Sequence, residues 1–137
     1  MSKEIKIRWG WLKGMYIYTI VVAGFLGVGI IVMPEMIKTK FPWPVEEPTA
    51  FGIVGSMYVA SGLLAILGLR SPLKFVPLLV MQLFYKSVWF IGVALPLWAT
   101  GHFPIYAIPM VIIFATFIVG DLIAIPFSYI FAKEPKQ

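Results

Sequence analysis

Two long stretches without a charged residue constrain this chain more than any other feature of its sequence. One runs from residue 14 to residue 34, and the other from residue 48 to residue 69. About 20 apolar residues in a helix cross the roughly 30 Å hydrocarbon core of a bilayer. Backbone that faces lipid must satisfy its own hydrogen bonds, so each stretch is expected to be a helix.

Two further apolar stretches are predicted to be membrane-spanning helices for the same reason, and the Gly- and Pro-containing turn ATGHFP separates them. We predict an all-α integral membrane protein, a four-transmembrane antiparallel helix bundle formed by a single membrane domain (1–137). The predicted spans are about residues 14–34, 50–69, 73–98 and 105–132, with an outer loop at 34–49. With 61% hydrophobic and 12% charged residues, the composition belongs to the membrane class.

The basic residues predict the orientation of the spans. The N-terminal segment, the second connection and the C-terminal tail hold most of the Lys and Arg residues, and the ATGHFP turn has none. Cytoplasmic loops carry the excess of positive charge, so both termini are expected in the cytoplasm. The expected location is the bacterial inner (cytoplasmic) membrane, multi-pass. The net charge of +5 then indicates contact with membrane lipid and not with nucleic acid.

The connections differ in length and composition. The outer loop contains Pro34, Pro42, Pro44 and Pro48, which favour a stiff, partly extended segment. The other two connections are short, which predicts that spans two to four are sequential antiparallel neighbours.

Lys86 and Asp121 are the only charged residues deep within the predicted spans. Lys86 follows Lys74 by twelve residues and Asp121 precedes Lys133 by twelve, roughly 18 Å along a helix in both cases. Charges in hydrocarbon are costly and usually paired. Their opposite signs and matching depths predict that each is the counter-ion of the other.

This pair has two interpretations that the sequence leaves open. The pair either fastens spans three and four in register, or it also belongs to a ligand, proton or substrate site. Polar and aromatic residues nearby favour an intramembrane polar site, for which we predict the members Lys86, Asp121, Gln82, Trp89, Tyr58, Ser61 and Ser128.

Small residues recur at three- and four-residue spacing in the first two spans, which allows helix backbones to approach closely in lipid. The predicted packing positions are Gly24, Gly27, Gly55 and Gly62. Packing between spans one and two is the simpler interpretation. A surface for self-association or for another membrane subunit is the alternative.

Known catalytic motifs are absent from the sequence, and there is no cysteine. His102 and Glu35 are expected in the outer connections without the spacing of a ligand set. We therefore expect no catalytic residue, no cofactor and no metal.

The segments GVGIIVMPEMIKTKF and GSMYVASGLLAILGLRSPLKFVPLL resemble the DoxX-like group of small four-helix bacterial membrane proteins. The likeness lies in a helix that ends in a short Lys-containing segment, and in a glycine-punctuated second helix with a basic turn into the third. The acidic residue often found in that second helix is absent here. The group is functionally diverse, so the resemblance implies a fold more than an activity.

Three functions are compatible with these observations. The first is a non-catalytic accessory subunit or homo-oligomeric scaffold, whose partners are its own copies or other membrane subunits. The alternative is a small transporter or channel with Lys86 and Asp121 at its translocation site. The third is a membrane enzyme acting on a lipid or quinone, which ranks last because a locked ion pair has little reason to exchange protons.

Overall fold

A computed structural model describes residues 6–40 and 48–133, and all its regular structure within those ranges is helical. Four helices are long and apolar enough to cross a membrane, as the sequence predicted. The helices are α1 (Trp9–Val32), α2 (Pro34–Lys40), α3 (Pro48–Arg70), α4 (Val76–Ala99), α5 (Ile105–Ala124) and α6 (Phe127–Ile130). The long helices therefore confirm the membrane class of the chain.

Helices α1 and α4 each contain a π-helical segment, at Ile20–Gly24 and at Phe90–Ala94. The first begins directly after Thr19, and the second directly after Trp89. Such segments occur mostly as single turns within α-helices and are frequent at functional sites. The first segment adjoins Thr19 and the second adjoins Trp89, and both residues belong to the candidate sites described below.

The segment after α1 is helical where the sequence predicted an extended chain. Pro34 begins α2, a position that proline suits because its missing N–H would have no partner there. Glu35 lies in the first turn and pairs with Lys38 at 3.6 Å. Ile37 packs against Gly29 of α1. The rest of the predicted loop, residues 41–47, lies outside the described residues.

Helix α5 ends at Ala124, whereas the predicted span continued to residue 132. Ile125 is extended, with φ −69° and ψ 125°, because the ring of Pro126 disfavours a helical residue before it. The Arg8 guanidinium donates a hydrogen bond of 3.0 Å to the carbonyl of Ile123, one of the groups left free at this helix end. Within the described residues, the short helix α6 follows.

The short connections predicted that the second, third and fourth spans are sequential neighbours, and the packing of the long helices agrees for the third and fourth spans but less for the second and third. Helix α1 contacts α3 along its length and α5 through its first half, and α4 packs against α5. Helices α3 and α4 are consecutive in the chain but make fewer contacts with each other. Helices α1 and α3 approach closely at their glycines, and a cavity lies between α3 and α4, bordered also by α1 and α5.

The hydrophobic core lies where α1 meets α3, α4 and α5. Its fully buried members include Leu12, Tyr16, Ala65 and Leu79. The Tyr16 hydroxyl donates a 2.6 Å hydrogen bond to the carbonyl of Pro72, which ties the turn before α4 to α1. This core supports the polar residues that follow.

Candidate functional site: a buried polar cluster and an apolar cavity

Five polar or charged side chains are buried among the described residues, and we call four of them, from three helices, the polar cluster. They are Thr19 of α1, Gln82 and Lys86 of α4, and Asp121 of α5, with exposed fractions between 0% and 2%. Buried polar groups normally have hydrogen-bond partners, so each orphan atom requires an explanation.

The ammonium group of Lys86 lies among aromatic rings. Its Nζ donates a 3.0 Å hydrogen bond to the Tyr85 hydroxyl and lies 4.0 Å from the centroid of the Phe117 ring. The rings of Tyr85 and Phe114 are at 4.5 Å and 5.4 Å. All three rings lie within the roughly 6 Å over which a cation is attracted to an aromatic face. These contacts hold the charge without an anion in direct contact.

Asp121 is completely buried, and neither of its carboxylate oxygens has a hydrogen-bond partner among the described residues. Lys86 is its electrostatic neighbour, but no Lys86–Asp121 ion pair exists within 4.0 Å in the described part of the chain. The two charges are therefore in the same buried region, as the counting of residues suggested, without the direct bridge that we expected. The Lys86 ammonium group instead contacts the Tyr85 hydroxyl and the Phe117 ring.

Gln82 is also only partly satisfied. The Thr19 hydroxyl donates to the carbonyl of Met15 at 2.8 Å and lies 3.4 Å from the Gln82 amide oxygen. The Gln82 Nε2 has no partner among the described residues. The cluster thus holds an unused donor on Gln82 and two unused acceptors on Asp121.

The other predicted members of the polar site lie apart from this cluster. Ser61 is buried, and its hydroxyl donates to the carbonyl of Met57 at 2.9 Å on its own helix. Ser128 is exposed on α6. Tyr58 and Trp89 line a separate apolar cavity. The predicted set therefore divides into two sites and two residues that belong to neither.

The predicted packing glycines all lie where α1 meets α3. A Cβ atom on Gly27 would be 2.6 Å from the backbone nitrogen of Val59, and one on Gly62 would be 2.9 Å from the Cα of Gly24. One on Gly55 would be 2.5 Å from the Ile30 side chain. These glycines are used in packing within the chain.

The cavity has a volume of about 490 Å³ and lies between α1, α3, α4 and α5. Its wall is almost entirely apolar; Leu26, Ile30, Val54, Val88 and Phe114 are among the lining residues. Three lining side chains carry a polar atom: Tyr58, Tyr85 and Trp89. Tyr85 also accepts the Lys86 hydrogen bond, so it joins the cavity to the polar cluster.

Sequence reasoning did not find the role of Tyr85 and gave Phe117 no role in holding Lys86. Tyr85 is next to Lys86 in the chain, and Phe117 lies one turn before Asp121. A rule that looks for aromatic residues around a buried lysine could have selected both. The side-chain direction that brings them to the ammonium is not visible in spacing alone.

No three His, Cys, Asp or Glu residues of the described ranges come together as a metal site would require. Comparisons with family models, with curated proteins and with solved structures found no match to this chain.

Proposed function

We propose that this chain is a small proton-translocating membrane protein with Asp121 and Lys86 at its translocation site. The proposed setting is an antiparallel four-helix bundle in the bacterial inner membrane, with both termini in the cytoplasm. The distribution of Lys and Arg supports that orientation. The resemblance to DoxX-like proteins is compatible with this fold and is retained as a hypothesis.

The observation that carries the proposal is the carboxylate of Asp121, which is completely buried and has no hydrogen-bond partner among the described residues. A pair that only fastened two helices would be expected to be in direct contact, because unpaired charge in a membrane is expensive. A carboxylate left without a partner retains its capacity to bind something else.

A proton is the species that suits this site best. It binds to a carboxylate oxygen without requiring a cavity, and Asp121 is buried among packed side chains. A metal ion would require several further ligands, and no cluster of three His, Cys, Asp or Glu residues exists within the described ranges. Chains of acidic and other polar residues carry protons in many membrane pumps and transporters.

Proton flux into vesicles tests the proposal. The purified protein is reconstituted into liposomes that contain a pH-sensitive dye, and a potassium diffusion potential drives protons inwards. We expect flux above that of empty liposomes, reduced to background by Asp121→Asn. The matched control is Ser128→Ala, which changes an exposed polar residue on α6 and should retain full flux.

Two results would overturn the proposal. The first is flux by Asp121→Asn equal to that of the parent protein at equal folded abundance. The second is a parent protein that conducts no better than empty liposomes.

The second candidate function is a non-catalytic accessory subunit or homo-oligomeric scaffold. The apolar wall of the cavity favours it, because this cavity offers an ion no polar route through one copy of the chain. Native mass spectrometry of protein released gently from its membrane tests this candidate. A fixed complex with other chains would support an accessory subunit, whereas a homo-oligomer would be compatible with either function.

A further inference from the structure

We infer that the cavity between α3 and α4 is a binding site for an uncharged lipophilic molecule that carries a carbonyl oxygen at one end. This site adjoins the polar cluster at Tyr85, and the inference does not depend on proton translocation. The inference rests on the size of the cavity, its access, and the hydroxyl groups at its wall.

The size and lining of the cavity suit a small organic molecule. Its volume of about 490 Å³ falls within the roughly 300–1,000 Å³ of pockets that bind such ligands. No charged side chain lines it among the described residues. A charged ligand would therefore lose its hydration without compensation, whereas a hydrocarbon body would not.

Access to the cavity is lateral, from the side where α3 and α4 make few contacts. Val88 and Val54 line the cavity and are 68% and 40% exposed, so they mark its opening. In a chain that crosses a membrane, this surface faces lipid tails. A lipophilic molecule dissolved in the bilayer reaches the cavity without passing through water.

The two tyrosines at the wall supply the recognition of an oxygen atom. The Tyr85 oxygen already accepts a hydrogen bond from Lys86, so its own O–H proton is available to donate. Tyr58 lines the same cavity, and its hydroxyl makes no hydrogen bond to a described residue. Two hydroxyl donors on the wall of one cavity could serve the two lone pairs of one carbonyl oxygen.

Photolabelling with 4-octylbenzophenone tests the inference. This uncharged probe carries one carbonyl group, and irradiation attaches that group to C–H bonds that it contacts. The full-length protein is labelled in liposomes, and the modified residues are identified by mass spectrometry. We expect concentrated labelling at cavity residues such as Tyr85, Val88 and Met110, with saturation as the probe concentration rises.

Two sets of variants give the expected changes. Val88→Trp narrows the opening and should reduce cavity labelling at least tenfold, whereas Ile91→Trp places the same ring on an exposed position of α4 that does not line the cavity. Tyr58→Phe and Tyr85→Phe should each raise the probe concentration at half-saturation about fivefold, the usual effect of losing one hydrogen bond. Tyr129→Phe, outside the cavity, is their control.

Competition separates the recognition of oxygen from simple partitioning into hydrocarbon. A long-chain alkyl ketone should displace the probe at lower concentration than the alkane of equal length. The inference would be overturned if labelling were spread along the exposed faces of the long helices and did not change in Val88→Trp. Equal competition by ketone and alkane would overturn it too, even where the tyrosine variants fail to fold. Neither result depends on whether the protein conducts protons.

Discussion

The ammonium nitrogen of Lys86 lies 4.0 Å from the centre of the Phe117 ring, nearer to that aromatic face than to any carboxylate oxygen of the described residues. Phe117 in turn stacks with Tyr18 of α1, with ring centroids 4.6 Å apart. The buried charge is thus held by a stack that joins three helices. Asp121 lies one turn after Phe117, and neither of its carboxylate oxygens has a hydrogen-bond partner in the described part of the chain.

The contact between Lys86 and Phe117 should have a measurable coupling energy. In a double-mutant cycle with Lys86→Met and Phe117→Leu, we expect a coupling of about 1–2 kcal/mol, as is usual for a desolvated cation and an aromatic ring. Unfolding in mixed micelles by a denaturing detergent provides the free energies. The same cycle with Phe114→Leu, whose ring is at 5.4 Å, should give a smaller coupling. Equal couplings at the two rings would contradict the account.

Gly27→Ala should destabilise the contact between α1 and α3. Its new Cβ would meet the backbone of α3 at 2.6 Å, where no flexible side chain can yield, so we expect a loss of about 1–3 kcal/mol. Gly52→Ala is the matched control, because nothing lies within 4 Å of the position of its Cβ. Unfolding curves in a denaturing detergent give the free energy of unfolding of each variant. A loss of similar size in both variants would show that the contact between α1 and α3 is not tight.

Arg8→Gln should loosen the end of α5. The variant removes the charged donor from the Ile123 carbonyl, and we expect a loss of about 0.5–1 kcal/mol because the contact is exposed. Hydrogen–deuterium exchange of residues 121–131 should become faster. Lys13→Gln removes an exposed charge from the first turns of α1, near Arg8, and should leave that exchange unchanged. Unchanged exchange in Arg8→Gln would show that Arg8 does not cap this helix.

The four long helices were predictable because crossing a membrane requires a run of apolar residues that is visible in the sequence. The positions of Lys86 and Asp121 inside those helices were predictable for the same reason. The end of α5 was also predictable, because a residue before a proline is disfavoured in a helix and residue 126 is a proline. The apolar composition continues beyond Pro126, so composition alone predicts a longer span.

Other features depend on side-chain packing that linear spacing does not encode. The short connections suggested that α3 and α4 are close neighbours, yet glycine contacts draw α3 to α1. The opposite charges of Lys86 and Asp121 suggested a bridge, yet Tyr85 and Phe117 compete for the ammonium group. The prolines after α1 suggested an extended chain, yet Pro34 occupies the helix position that tolerates proline.

The coupling free energy between Lys86 and Asp121 tests the central claim most directly, because that claim holds Asp121 free for a proton and not committed to a bridge. It is measured by a double-mutant cycle with Lys86→Met and Asp121→Asn, using unfolding in mixed micelles. We predict a coupling of about 1 kcal/mol or less, since the two charges interact without direct contact. A coupling of about 3 kcal/mol or more, within the range measured for close charge pairs, would show that the pair is a fastener and would contradict the account.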